Sequence, residues 1–162
     1  MKKIFLLLLI TLPLYLSISL YFLDKKYFLC PIEYKWDLVI RCDGRGDGFF
    51  GAKRNGQRMH TGIDLLAQIN TPVLASRSGK VISATQNKGM GKYIIIRHPN
   101  NFITIYGHLL AIYVVKNEFV RQGQVIARVG KTGNANFRDV QPHLHFEIRK
   151  DGIPQDPLEY LE

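Results

Sequence analysis

The chain has 162 residues and a formal net charge of +9 at pH 7, with 22% of its residues charged and 11% aromatic. Its 14 glycines and seven prolines are too few for a collagen-like chain, and its charged and aromatic content excludes a disordered one. One long apolar run, at the N-terminus, excludes a transporter with several membrane spans.

The N-terminal segment contains twenty consecutive residues without a charge, from Ile4 to Leu23. A cleaved signal peptide has an apolar region of about 7–15 residues, whereas about 20 apolar residues cross a bilayer as a helix. We therefore interpret residues 1–23 as a signal anchor or a signal peptide, and we favour a retained membrane helix that contacts the bilayer through residues 4–23. Either interpretation places the rest of the chain outside the cytoplasm. A retained segment favours an envelope with two membranes, and we expect the chain on the periplasmic side.

The 139 residues that follow are enough for one domain with its own core. We predict a connector at 24–43 and a folded domain at 44–162. Removing the two leading lysines lowers the net charge only from +9 to +7. This charge favours an anionic partner such as a wall polymer or a membrane surface, with plain solubility as the alternative. The basic residues are scattered rather than clustered, so nucleic acid is not an expected partner.

Two cysteines, Cys30 and Cys42, lie near the start of the predicted domain. In an oxidising compartment they could close one short loop, and such a disulfide contributes roughly 3 kcal/mol to stability. Two free thiols are the alternative, and both remain open at this point.

Glycine occupies five of the fourteen positions of residues 43–56, which predicts a loop. After this loop, short apolar or β-branched stretches alternate with Gly, Asn and Pro, a pattern typical of an antiparallel sheet or sandwich. Only Leu110–Val120 could hold a short helix, although its β-branched residues disfavour one. The predicted fold class is therefore all-β, mostly antiparallel, with few or no helices. The predicted strands are Gly62–Leu66, Pro72–Ser76, Gly79–Ala84, Lys92–His98, Phe102–Gly107, Gln124–Val129 and His143–Arg149.

Two of the five histidines lie in the sequence P-H-L-H-F-E-I at 142–148. Alternate residues of a strand share a face, so His143 and His145 point to one side while Leu144 and Phe146 enter the core. Two imidazoles about 6.5 Å apart along a strand can bind one metal ion together. Alternatively, one binds and the other stands beside the open coordination position. His98 precedes a turn and has no second ligand nearby, and we interpret it as structural.

A second candidate ligand pair is formed by His60 and Asp64 in the segment H-T-G-I-D. A straight strand would separate the two by about 13 Å, but a bend at Gly62 would bring them together. With one histidine of the H-x-H pair they provide two nitrogens and a carboxylate oxygen and leave a position for water. That ligand set is typical of catalytic zinc. The spacing leaves open which of the two histidines binds.

Two histidines then remain for proton transfer. His108 follows Tyr106-Gly107 at the end of a predicted strand, and the second is the member of the H-x-H pair that does not bind metal. Attack of water on a carbonyl needs a base and a donor for the developing oxyanion, and two histidines can supply both.

Six sequence blocks occur in a fixed order: R-M-H-T-G-I-D-L at 58–65, T-P-V-L-A at 71–75, S-G-K-V at 78–81, I-T-I-Y-G-H-L at 103–109, G-Q-V-I-A-R-V-G-K-T-G at 123–133 and P-H-L-H-F-E-I at 142–148. Together they resemble the lysostaphin-like zinc metallopeptidases, bacterial endopeptidases that cleave peptidoglycan. The resemblance implies that residues 44–162 are a metallopeptidase domain with one Zn²⁺ in an open groove. It implies His60, Asp64 and His145 as zinc ligands and His108 and His143 as the catalytic residues.

The predicted function is therefore hydrolysis of peptidoglycan peptide bonds by a zinc-dependent endopeptidase. Residues 134–141, N-A-N-F-R-D-V-Q, are longer and bulkier than the link the family has there, so the choice between stem cross-links and glycine bridges is not carried over. The main alternative is a catalytically inactive relative that regulates another wall hydrolase as a binding module, which is expected to lack ligand residues. A phosphocarrier with paired histidines needs cytoplasmic partners, which the membrane segment disfavours.

Overall fold

The computed structural model describes residues 28–54 and 58–162. The predicted signal anchor, residues 1–23, lies outside these described residues. Within them, no helix has the length and apolar character needed to cross a membrane.

The described chain forms eleven short strands, two single 3-10 turns and no α-helix. Every strand pairing is antiparallel, so the predicted all-β antiparallel fold is confirmed. The 3-10 turns are Gly133–Ala135 and Pro157–Glu159. The strands are β1 (Cys42–Asp43), β2 (Gly46–Asp47), β3 (Ile63–Leu66), β4 (Pro72–Leu74), β5 (Gly79–Asn87), β6 (Gly91–Arg97), β7 (Phe102–Ile112), β8 (Phe119–Val120), β9 (Val125–Val129), β10 (His143–Lys150) and β11 (Ile153–Gln155).

The segment that could have held a helix, Leu110–Val120, is not helical. Its first residues continue β7 to Ile112, and its last two residues form β8. A helix would crowd its β-branched side chains against the preceding turn. The extended chain instead allows Val114 and Val120 to be buried in the core.

Nine of the strands form one sheet, in which β10 has a central position. The order along the sheet is β11-β10-β7-β6-β5-β8, with β3 also paired to β10 and with β9 joining β7 to β4. Along β10 the side chains of Leu144, Phe146 and Ile148 are fully buried in the core. The alternate positions carry His143 and His145, so the predicted alternation of core and site residues is confirmed.

Part of the predicted connector packs against the sheet. Phe28 is buried and pairs with Leu161 near the C-terminus. The backbone N–H of Arg41 donates to the carbonyl oxygen of Asp64 at 2.8 Å. Cys30 and Cys42 are both free in this structure, so the disulfide alternative is not the one observed.

Gly62 lies where two backbones approach each other closely. A Cβ atom at this position would lie 2.2 Å from the carbonyl oxygen of Phe146 on β10. The sequence predicts Gly62 as a bend between His60 and Asp64. The structure adds a second reason for glycine, because only a residue without a side chain lets this segment lie directly on β10.

Replacing Gly62 by alanine should lower the free energy of unfolding by about 3 kcal/mol, because neither backbone can move away without breaking the sheet. Gly44→Ala is the matched control, since a Cβ there meets no atom within 4 Å, and it should change stability by less than about 0.5 kcal/mol. Urea unfolding followed by circular dichroism measures both. Equal stabilities of the two variants would contradict the close approach.

Candidate metal centre

Three ligand atoms from His60, Asp64 and His145 converge beside β10. Nε2 of His60 lies 3.1 Å from Nδ1 of His145 and 3.2 Å from Oδ1 of Asp64. The third side of this triangle, between Asp64 Oδ1 and His145 Nδ1, is 3.0 Å. All three side chains are buried. The structure therefore brings together the three residues that were predicted as metal ligands.

The spacing of these atoms fits Zn²⁺. Tetrahedral zinc with bonds of about 2.0–2.1 Å holds its ligand atoms about 3.3 Å apart, close to the observed triangle. Two imidazole nitrogens and one carboxylate oxygen also leave a fourth position open, as in catalytic zinc sites. His143 lies outside the triangle, with its Nε2 3.9 Å from Asp64 Oδ1. The role of each residue stays a prediction.

Two arginines hold the other oxygen of Asp64. Nη2 of Arg41 donates to Oδ2 at 2.9 Å and Nη2 of Arg54 donates to it at 2.7 Å. Arg41 is only 3% exposed and also donates to Asp43. Because Oδ2 is occupied in this way, Oδ1 is the oxygen that faces the histidines. Burial would raise the pKa of Asp64, but the hydrogen bond from His145, together with the contact with His60, outweighs it and holds the pKa well below its usual range.

Backbone carbonyl groups define the tautomer of three of the site histidines. A carbonyl oxygen only accepts, so the Nδ1 atom that contacts it must carry the proton, and Nε2 keeps its lone pair. His145 differs, because its Nε2 contacts Glu147 at 3.0 Å and its Nδ1 belongs to the triangle. The three contacts to carbonyl oxygens are His60 with Phe49 at 2.9 Å, His108 with Thr132 at 2.9 Å and His143 with Gln141 at 2.7 Å.

His108 and His143 form a second pair beside the triangle, with ring centroids 4.9 Å apart. His108 has a φ of 61°, in the left-handed region, at a point where β7 has one residue more than β6 between Tyr106 and Leu109. Burial, with the nearby His143, lowers the pKa of His108 to about 3. Burial also lowers the pKa of His143. Both rings are therefore neutral at neutral pH.

The pKa of His145 shifts in the opposite direction. Burial would lower its pKa, but hydrogen bonds to Asp64 and Glu147 outweigh this and raise the pKa to about 9. Without a metal ion the ring is therefore an imidazolium between two carboxylates. Binding of a metal ion at Nδ1 has to displace that proton.

All five predicted site residues line one open groove of about 790 Å³. Residues 134–141, where the sequence departs from the family pattern, supply Asn134, Phe137 and Val140 to its wall. His98 lies elsewhere, with Nδ1 2.9 Å from the carbonyl oxygen of Ser78 and Nε2 2.7 Å from Thr104 Oγ1. Its predicted structural role agrees with these contacts.

Sequence reasoning missed three residues that support the ligands: Arg41, Arg54 and Glu147. Glu147 could have been found, since it follows His145 by two residues on the same strand and so shares its face. The two arginines precede Asp64 by 23 and 10 residues, and no periodic pattern connects them to it. Only the folding of residues 40–54 against β3 brings them there.

Comparisons with known proteins identify related peptidases. Residues 58–157 match peptidase family M23. The chain is 40% identical over 100 residues to the peptidoglycan DD-endopeptidase ShyC of Vibrio cholerae, a match that covers 62% of this chain and 22% of that protein. It is also similar to the crystal structure of a zinc-containing peptidase from Vibrio cholerae, with a TM-score of 0.68 and 31% identity over 83% of this chain and 40% of that one.

The catalytic domain of lysostaphin from Staphylococcus simulans is a further structural relative. Its TM-score is 0.58 with 32% identity, over 73% of this chain and 90% of that one. The chain spans about a third or less of the length of curated relatives that it matches.

The metal-free protein should lose stability on acidification because of His108. Its pKa is about 3 in the folded chain and about 6.5 when unfolded, so only the unfolded state takes up a proton between these values. The contribution of the neutral His108 to the free energy of unfolding is complete above about pH 6.5. It is lost as the pH falls, by about 2 kcal/mol between pH 7 and pH 5.

The matched variant is His108→Asn, because asparagine tolerates the left-handed backbone and does not titrate. Urea unfolding in the presence of a chelator should show a loss about 2 kcal/mol smaller for this variant than for the wild type over the same pH interval. Parallel losses in the two proteins would contradict the buried, neutral state of His108.

Proposed function

The chain belongs to peptidase family M23, and we propose that it is a zinc-dependent endopeptidase that hydrolyses peptide bonds of peptidoglycan in the bacterial cell envelope. The observation that carries this proposal is the convergence of five side chains on one groove, three with the spacing of zinc ligands and two neutral histidines beside them. A catalytically inactive relative, the alternative function, is expected to lack some of these five residues, and this chain has them all.

In this proposal His60, Asp64 and His145 hold one Zn²⁺ per domain. When bound, zinc supplies Lewis acidity, which polarises a carbonyl group and lowers the pKa of water. Arg41 and Arg54 offset the charge of Asp64 and leave its Oδ1 directed at the two histidine nitrogens.

The proton transfers are assigned to His108 and His143. Each donates Nδ1–H to a backbone carbonyl and presents an unprotonated Nε2, so each can accept the proton of an attacking water molecule. The protonated ring can then return the proton to the leaving amine. The two rings present Nε2 in the same tautomer, so both remain candidates for the base. The ring that does not act as the base stabilises the developing oxyanion only when its Nε2 carries a proton, because an oxyanion needs a hydrogen-bond donor.

The charge of the groove suits an anionic peptide. Arg58 and Lys88 are exposed residues of its lining, and the exposed Arg45 is paired with Asp139. Its two carboxylates, Asp64 and Glu147, are buried and paired with arginines. The groove is therefore positive on balance, which attracts wall peptides that carry free carboxylates.

We further propose that the domain works on the periplasmic side of the membrane. The support is the charge-free run at residues 4–23, which would either retain the domain at the bilayer or direct its secretion before cleavage.

Removal of the metal should abolish activity. The protein treated with a chelator should release no muropeptides from purified sacculi, and one equivalent of Zn²⁺ should restore release, because the side chains of the site do not supply the Lewis acidity of the metal. Mass spectrometry of the released muropeptides measures activity and identifies the cleaved bond in one assay. Full activity of a metal-free preparation would refute the mechanism.

Replacing His143 by alanine should separate catalysis from metal binding. His143 lies outside the ligand triangle, so the variant should retain one zinc per chain, measured by atomic absorption. Turnover should fall by about 100-fold or more, the usual cost of losing a general acid or base. A variant that keeps zinc and wild-type turnover would exclude His143 from the chemistry.

A further inference from the structure

We propose that Glu147 is a positioning residue that sets which nitrogen of His145 faces the metal site. This inference rests on the proposed function for the identity of the metal, but its test uses metal binding and not peptide cleavage. It assigns a role to a residue outside the ligand triangle and outside the proton-transferring pair.

The contact geometry permits only one tautomer of a neutral His145. Oε1 of Glu147 lies 3.0 Å from Nε2 of His145, and an ionised carboxylate can only accept a hydrogen bond. Nε2 therefore carries the proton, and the lone pair of the neutral ring is on Nδ1. Nδ1 is the atom that lies 3.0 Å from Asp64 Oδ1 and 3.1 Å from His60 Nε2.

Without this acceptor, nothing in the described contacts of the ring would select Nδ1. The other three site histidines donate Nδ1–H to backbone carbonyls and present Nε2. His145 is reversed relative to them, and its proton acceptor is a side chain. A carboxylate in this position also makes the ring more basic and so a stronger ligand, an arrangement common around metal-bound histidines.

Glu147 is held firmly enough to act in this way. It is 3% exposed. Thr61 Oγ1 donates to its Oε1 at 2.8 Å. Arg149 donates to its Oε2, with Nε at 2.8 Å and Nη2 at 2.6 Å. Because Thr61 lies between His60 and Asp64, the carboxylate also connects the two chain segments that supply the ligands.

The test compares the zinc affinities of the wild type, Glu147→Leu and Glu147→Gln by competition with a chromophoric chelator. Glu147→Leu removes the acceptor and should weaken zinc binding by about 10–100-fold. Glu147→Gln keeps a neutral acceptor oxygen and should lose less than about tenfold. Glu159→Leu, the same change at an exposed position in the last 3-10 turn, is the control and should bind zinc like the wild type.

A second measurement distinguishes positioning from a purely structural role. Long-range ¹H–¹⁵N spectra of the zinc-loaded proteins report which nitrogen of His145 carries the proton. The wild type and Glu147→Gln should show protonated Nε2, and Glu147→Leu should lose this single form. Should Glu147→Leu fail to fold, Thr61→Val serves instead, because it removes one donor to Oε1 and should reduce the affinity by a smaller factor with the same tautomer.

Wild-type zinc affinity in folded Glu147→Leu, with Nε2 of His145 still protonated, would overturn the inference. A wild-type protein that binds zinc with the expected variant pattern but cleaves no peptidoglycan would instead overturn the proposed function and leave the role of Glu147 intact.

Discussion

The register of β10 between β3 and β7 is the constraint on which the site depends. His145 is directly opposite Asp64 on β3 and opposite Gly107 on β7. Backbone pairing thus places His145, a proposed nitrogen ligand, beside Asp64, the proposed oxygen ligand, and opposite the residue that precedes His108. A shift of one residue would turn the histidines into the core and Leu144 and Phe146 into the groove. The large apolar surface of those two residues therefore enforces the geometry of the polar face.

Charge compensation is the second condition for a site this buried. Asp64 and Glu147 would each be costly to bury as isolated ions. Each is paired with arginine on the oxygen that points away from the ligand triangle, and each offers its remaining oxygen to His145. The arginines thus reduce the cost of burial and at the same time orient the carboxylates. Burial lowers the pKa of His108 and of His143 and keeps both rings neutral, although Asp64 Oδ1 lies 3.9 Å from Nε2 of His143.

Most of the strands could be predicted from the sequence because one face of each is apolar and the turns between them carry Gly, Asn or Pro. The segment Leu110–Val120 was ambiguous because its β-branched residues disfavour the short helix that it could otherwise hold. In the structure the chain is not helical there, and Val114 and Val120 are buried in the core. The Gly content of residues 43–56 predicts a loop. It does not reveal the short β1–β2 hairpin, nor that Arg54 of this segment contacts Asp64.

What the sequence determined by itself was the alternation on β10, the ligand types and the family resemblance, because these depend on residue identity at short spacing. The two-residue period of a β-strand places His143 and His145 on one face in any fold that contains this strand. The resemblance already implies His145 as the ligand of the pair, but only the tertiary structure decided how close the three ligand atoms lie, which nitrogen each ring presents and which residues hold the ligands. Gln141 and Glu147, which set the nitrogens presented by His143 and His145, lie only two residues away from them. The other features depend on contacts between residues 10 to 86 positions apart, and no local pattern encodes a distance across strands.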